Sequence, residues 1–256
     1  MLWRKSWRET RFMVLVFLGT ALLFVVLRPV GGDQWVSILQ EGAPNWSEDS
    51  RRLLPLLSSQ QGYVWLYWFK FMLLFMWPMY AVTQGVTLVP ASCPWMKGGL
   101  GAAGLFTFSL PVSRRRVLLT NAALVGVELV LVALAPSLIF PIVSHLTGAD
   151  VPFGSALVYA LLLSFGGMIF PAFSFLLTTV FDNHWKVIAT GFAVVITLIF
   201  PPRLVEEYPW WHVYHVMSGE TYFRYGKIPW PGLLASLAVS AAMMFAAVRI
   251  YERRDF

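Results

Sequence analysis

Two charged residues stand inside long apolar stretches of this 256-residue chain: Lys70, within 63–89, and Glu128, within 117–142. An ionisable group left alone on lipid at the bilayer centre costs at least ~2.5 kcal/mol, so each needs a partner or a way out. At about 1.5 Å of rise per residue, Lys70 lies about 10 Å below one boundary and Glu128 about 16 Å above the other. Their depths then differ by less than the reach of a lysine. The two can pair across neighbouring helices. Alternatively, Lys70 snorkels outward and Glu128 hydrogen-bonds within the bundle. A third reading gives them direct substrate or proton handling. His212 and His215 stand three apart, with Glu206, Glu207 and Glu220 nearby. One helical turn would put both imidazoles on one face, as a metal site requires, which makes them weak metal candidates. Aromatic filler at the membrane boundary is the simpler reading, and no metal is expected.

Other catalytic patterns are missing. Gly98, Gly99, Gly101 and Gly104 lack the Lys-Ser/Thr of a phosphate loop. Glu206-Glu207 invites comparison with intramembrane proteases, but Trp211 stands where the required arginine would be. No Ser/His pair is placed inside the apolar runs for nucleophilic catalysis. The single cysteine, Cys93, excludes an internal disulfide. No catalytic residue is assigned, and the chain is read as a non-enzyme without a cofactor of its own.

The elements that must position these groups follow from composition. Hydrophobic residues make up 58% of the chain and charged residues 12%, against about 25% charged in a soluble domain. Mean hydropathy is +0.66. This excludes a disordered protein, a disulfide scaffold and a soluble nucleic-acid binder, so no nucleic-acid partner is expected. A bilayer core of about 30 Å takes about 20 apolar residues as a helix. In hydrocarbon each backbone N–H and C=O must be satisfied within its own segment. The period-2 alternation of a membrane barrel is absent. The chain is therefore read as one all-α transmembrane domain, 1–256. Its six spans are about 12–28, 63–89, 117–145, 153–181, 185–205 and 230–250. Pro78, Pro136, Pro141 and Pro171 are expected to kink them, and Gly166-Gly167 and Gly191 to allow close helix approach.

Lysine and arginine set the orientation. Arg4, Lys5, Arg8, Arg11, Lys97, Arg114 to Arg116, Lys186, Arg249, Arg253 and Arg254 fall on one side. Fewer basic residues and most of the acids fall on the other. Both termini are thus expected in the cytoplasm. The first helix is expected to be retained, since no A-x-A-like cleavage site follows it. The outer loops are 28–62 and 203–230. The second is aromatic-rich and is expected to dip into the membrane–water interface.

The loop between spans two and three contains Leu105, Phe106, Phe108, Leu110, Pro111, Val112, Ser113, Arg114, Arg115 and Arg116. Ser113 can cap the helix that follows. Arginines at lipid headgroups would account for the basic run but not for Leu-Pro-Val-Ser. The run Leu110 to Arg116 resembles the "LPVSRRR" signature of bacterial ABC-2 type permeases, the membrane subunits of ATP-binding cassette transporters. The N-terminal Leu2-Trp3-Arg4-Lys5-Ser6-Trp7-Arg8-Glu9 resembles that family's amphipathic helix at the inner leaflet. The terminus Tyr251-Glu252-Arg253-Arg254-Asp255-Phe256 is similar to the family's "ERRD" ending.

The resemblance implies an ABC-2, type V exporter-like architecture. It would have an interfacial helix over 1–11 and a cytoplasmic coupling helix between helices 2 and 3. It implies a multi-pass protein of the bacterial plasma membrane, paired with a second copy or a related permease and with separate ATPase subunits that hold ATP and Mg. The ten residues named from Leu105 to Arg116 would meet the ATPase. Apolar, aromatic spans suit export of an amphipathic or lipid-like substrate. The alternative is a non-transporting membrane scaffold or an assembly factor of a membrane complex.

Overall fold

The computed structural model describes residues 2–27, 76–85, 113–146, 152–181, 183–199 and 212–253. Lys70, the loop residues Leu105, Phe106, Phe108, Leu110, Pro111 and Val112, the outer loop 28–62, and most of span 63–89 lie outside them. The described residues are helical, with short connections and no strand. The helices are α1 (Leu2–Leu27), α2 (Trp77–Gly85), α3 (Arg114–Leu146), α4 (Phe153–Gly166), α5 (Ile169–Val180), α6 (His184–Ile199), α7 (Val213–Ser218), α8 (Glu220–Tyr225) and α9 (Trp230–Arg253). Among the described residues, three stretches are long and apolar enough to cross a membrane: Arg115–Leu146, Phe153–Val180 taken across its break, and Trp230–Arg253. Thr10–Leu23 and Trp185–Leu198 form shorter apolar helices.

The boundary expected at residue 11, between an interfacial helix and a first span, does not interrupt the chain. α1 runs unbroken for 26 residues, because Leu2 to Leu18 contains neither Gly nor Pro to stop it. Thr10, expected at the interface, is buried in the bundle. α1 packs along α3. The two run parallel: Trp3 shares a groove with Ser113 to Ala123, and Thr10 meets Glu128 further along both helices. α3 buries Val117, Leu118, Leu124, Val125, Leu129, Val132 and Ala133, the i, i+3, i+4 stripe of a helix with one inner face. Pro136 and Pro141 lie within α3 without ending it. Pro78 is the second residue of α2 as described.

The fourth expected span divides at Gly167-Met168, ahead of Pro171. Proline has no N–H to bond the carbonyl four residues back, and here that carbonyl is Gly167's. It accepts instead from Phe170 N at 3.1 Å, and the helix restarts as α5. Trp77 of α2 lies against this break. A methyl group on Gly167 would stand 2.0 Å from Trp77 Nε1 and 2.7 Å from the Leu163 carbonyl oxygen. Ser174 Oγ of α5 donates to the Val82 carbonyl of α2 at 2.9 Å, and Gly191 of α6 abuts the same Val82. Across the other side, Ser236 Oγ of α9 donates to the Gly166 carbonyl at 2.7 Å.

Part of the aromatic outer loop folds inward: Tyr214, Val216 and Met217 are buried in the bundle. α7 packs against α4 and α9, where Gly166 leaves room for Met217 and Val216. Tyr225 at the end of α8 is exposed.

Candidate functional site

Glu128 sits in the middle of the buried face of α3 and is fully buried. Its two carboxyl oxygens are taken from two different helices. Thr10 Oγ1 of α1 donates to Oε1, and Tyr80 OH of α2 donates to Oε2 at 3.0 Å. Thr10 and Tyr80 are themselves buried. Phe17, two turns beyond Thr10 on α1, packs its ring edge-on against Tyr80 at 4.9 Å between centroids, so the phenol is held by an apolar contact and a polar one. Gln84, one turn beyond Tyr80, is buried as well. One carboxyl group thus ties α1, α2 and α3 together. Any sliding of these helices against each other must break or exchange its hydrogen bonds. Lys70 lies outside the described residues, and so does the pairing weighed for it.

The basic signature enters α3 directly. Ser113 stands just before the helix, and its Oγ accepts from Arg116 N at 3.4 Å while its carbonyl accepts from Val117 N at 3.2 Å. This is the capping geometry expected of serine at that place. Arg114 is the first helical residue. Arg115 and Arg116 are exposed. Between them and α1 lies a groove of about 420 Å³ lined by Trp3, Ser113, Arg115, Arg116, Leu119, Thr120 and Ala123.

His212 and His215 have separate tasks. His212 has extended backbone (φ −70°, ψ 130°) and caps α7, its Nδ1 accepting from Tyr214 N at 3.3 Å. Burial, and then the charge of His215, hold its pKa below the ordinary imidazole value. His215 lies within α7, and its Nε2 is 2.8 Å from Thr221 Oγ1 of α8. Among the described residues no three His, Cys, Asp or Glu side chains gather as metal ligands would.

No known protein family, curated protein or solved structure matches this chain.

Of the residues singled out from sequence, the structure places Glu128 at the bundle centre, Ser113 to Arg116 at the mouth of α3, and the two histidines at the ends of a short inner turn. It brings none of these three groups together. Thr10 and Tyr80 were not singled out. Thr10 stands among charged residues and Tyr80 in an apolar run. The one available signal was the uncommonness of a carboxylate inside an apolar helix, which demands donors without saying which.

Proposed function

We propose that this chain is the permease subunit of an ATP-binding cassette transporter of the ABC-2 type. It would have six spans and cytoplasmic termini in a bacterial plasma membrane, and would pair with a second permease. Separate ATPase subunits would hydrolyse ATP with Mg. The signature Leu110 to Arg116 supports this reading, together with one observation: its last residues are the capped first turn of α3. Fourteen residues further along the same 33-residue helix stands Glu128, hydrogen-bonded to α1 and α2. A push on the segment before Ser113 would travel along one rod into the joint between three helices. Phe106, Phe108 and Leu110 would fill a groove on the ATPase, with Arg114 to Arg116 at its rim. The cargo would be an amphipathic or lipid-like molecule moved outward, since the described spans present apolar faces and few charges.

Purification in mild detergent tests this. A co-purifying subunit with a Walker phosphate loop is expected. Leu110→Asp or Phe108→Asp puts a charge into an apolar contact and should weaken that association about thirtyfold, the scale of a central interface residue, with membrane insertion unchanged. Association and transport unchanged in both variants, or no ATPase subunit at all, would sink the reading and favour the scaffold.

A further inference from the structure

The groove between the N-terminal ends of α1 and α3 is built in two layers. Exposed Arg115 and Arg116 stand at its mouth. Leu119 and Ala123 of α3 form the floor, and the exposed ring of Trp3 forms the wall from α1. Thr120 also lines it but spends its hydroxyl proton on the Arg116 carbonyl at 2.7 Å. From Arg116 to Ala123 the groove descends about 10 Å along the helix.

Its depth in the membrane follows from length. α3 has 33 residues, hence about 50 Å of helix, against a hydrocarbon core of about 30 Å. The exposed Arg115 and Arg116 mark its first turns as the end that stands in the headgroup layer. Below the groove the outer face of α3 continues as an exposed apolar stripe through Val127, Leu131, Leu138 and Ile142. The groove is the top of a lipid-facing surface, so its occupant must be anionic at one end and compatible with hydrocarbon at the other.

We propose that this groove holds an anionic phospholipid of the surrounding leaflet, its phosphate on Arg115 and Arg116 and its glycerol and upper acyl methylenes on Trp3, Leu119 and Ala123. Charge complementarity selects the headgroup. The apolar floor selects a lipid over a free phosphate ion, which would lose hydration there without compensation. The tryptophan ring is the side chain expected at that level of a bilayer. The bound lipid would share Arg115 and Arg116 with the turn that the ATPase reading uses, but its binding does not depend on that reading.

Native mass spectrometry of the full chain in mild detergent tests the proposal, with phosphatidylglycerol, phosphatidylcholine and inorganic phosphate as probes. Phosphatidylglycerol should be retained and phosphatidylcholine should not, and millimolar-range phosphate should not displace the bound lipid. Replacing both guanidiniums in R115Q/R116Q should weaken retention about thirtyfold, from the worth of two basic residues at an anionic surface; R115K/R116K should keep most of it. Ala123→Phe fills the floor, and should also release the lipid while any ATPase partner still co-purifies. Equal retention of both lipids, displacement by phosphate, or unchanged retention in R115Q/R116Q or in Ala123→Phe overturns the lipid site. Retained lipid with no ATPase subunit would leave this site standing and remove the transporter reading. Loss of the ATPase in R115Q/R116Q with lipid retention intact would do the reverse.

Discussion

Around Glu128, α1, α2 and α3 meet through polar side chains; around Gly167, α2 meets α4 and α5 because a side chain is missing. At the first joint, Thr10 and Tyr80 reach from α1 and α2 to one carboxyl group of α3. At the second, Trp77 of α2 fills the space that a methyl group would need at the turn between α4 and α5. Neighbouring lipid is as apolar as leucine, so burial does little to hold membrane helices together. Close contact and hydrogen bonds must do it. The chain uses one device on each side of α2. Hydrogen bonds can be exchanged for others as helices shift, whereas a steric fit is kept or lost. The Glu128 joint is thus the one suited to movement, and the Gly167 joint the one suited to anchoring.

The sharpest way to break the comparison is Gly167→Ala. Its methyl group meets the indole at 2.0 Å, and a bulky ring in a packed helix pair cannot yield that far. A loss of about 3 kcal/mol is expected, the upper range for overpacking, read as a fall in thermal unfolding temperature in detergent. Shrinking the ring with Trp77→Leu in the same chain should recover part of it. An unchanged unfolding temperature in Gly167→Ala would mean that the anchor is not steric.

Next in size is Glu128→Leu. It removes the acceptor shared by the Thr10 and Tyr80 hydroxyls, at about 2 kcal/mol for the two buried hydrogen bonds lost. Adding Thr10→Val and Tyr80→Phe removes the two donors as well and should restore most of the loss, since deleting both sides of a hydrogen bond is nearly neutral. Tyr80→Phe alone should cost about 1 kcal/mol. If the triple variant is no better than Glu128→Leu, the joint is held by packing and the contrast with Gly167 disappears.

The smallest effect belongs to neither joint and serves as their control. His212 caps α7 through a neutral Nδ1, and its pKa is lowered by burial and by His215. Its contribution is therefore full above the ordinary imidazole value of about 6.5 and declines as the pH falls through it towards the lower folded value. His212→Asn keeps an acceptor for Tyr214 N and does not titrate, so it should flatten the fall of unfolding temperature with acid. A decline of the same size in both proteins would show that another group carries it.

Much of the scaffold was legible from the chain. Apolar runs read as spans over 117–145, 153–181 and 230–250 correspond to helices reaching Arg114–Leu146, Phe153–Val180 with its break, and Trp230–Arg253. Ser113 was legible as a cap because capping depends on residues three apart. The close approach expected at Gly166 and Gly191 is found against Met217 and Val82, although nothing in the spacing named those neighbours. The kink expected at Pro171 is found as the break just ahead of it, although nothing in the sequence named Trp77 as its neighbour. The unbroken passage of α1 through residue 11 and the burial of Tyr214 and Met217 were not legible, because each depends on what packs alongside: α3 beside Thr10, and Gly166 beneath α7.

By itself, then, the sequence determined a helical, largely apolar chain with its basic residues gathered at certain helix ends. Hydrocarbon compatibility is a sum over residues, and an α-helix closes its hydrogen bonds within four positions. Only the tertiary structure decided that Glu128 would be met by Thr10, 118 positions away, and by Tyr80, 48 positions away. Such meetings depend on how each helix is turned about its own axis against its neighbours, and no periodicity within a single helix carries that angle.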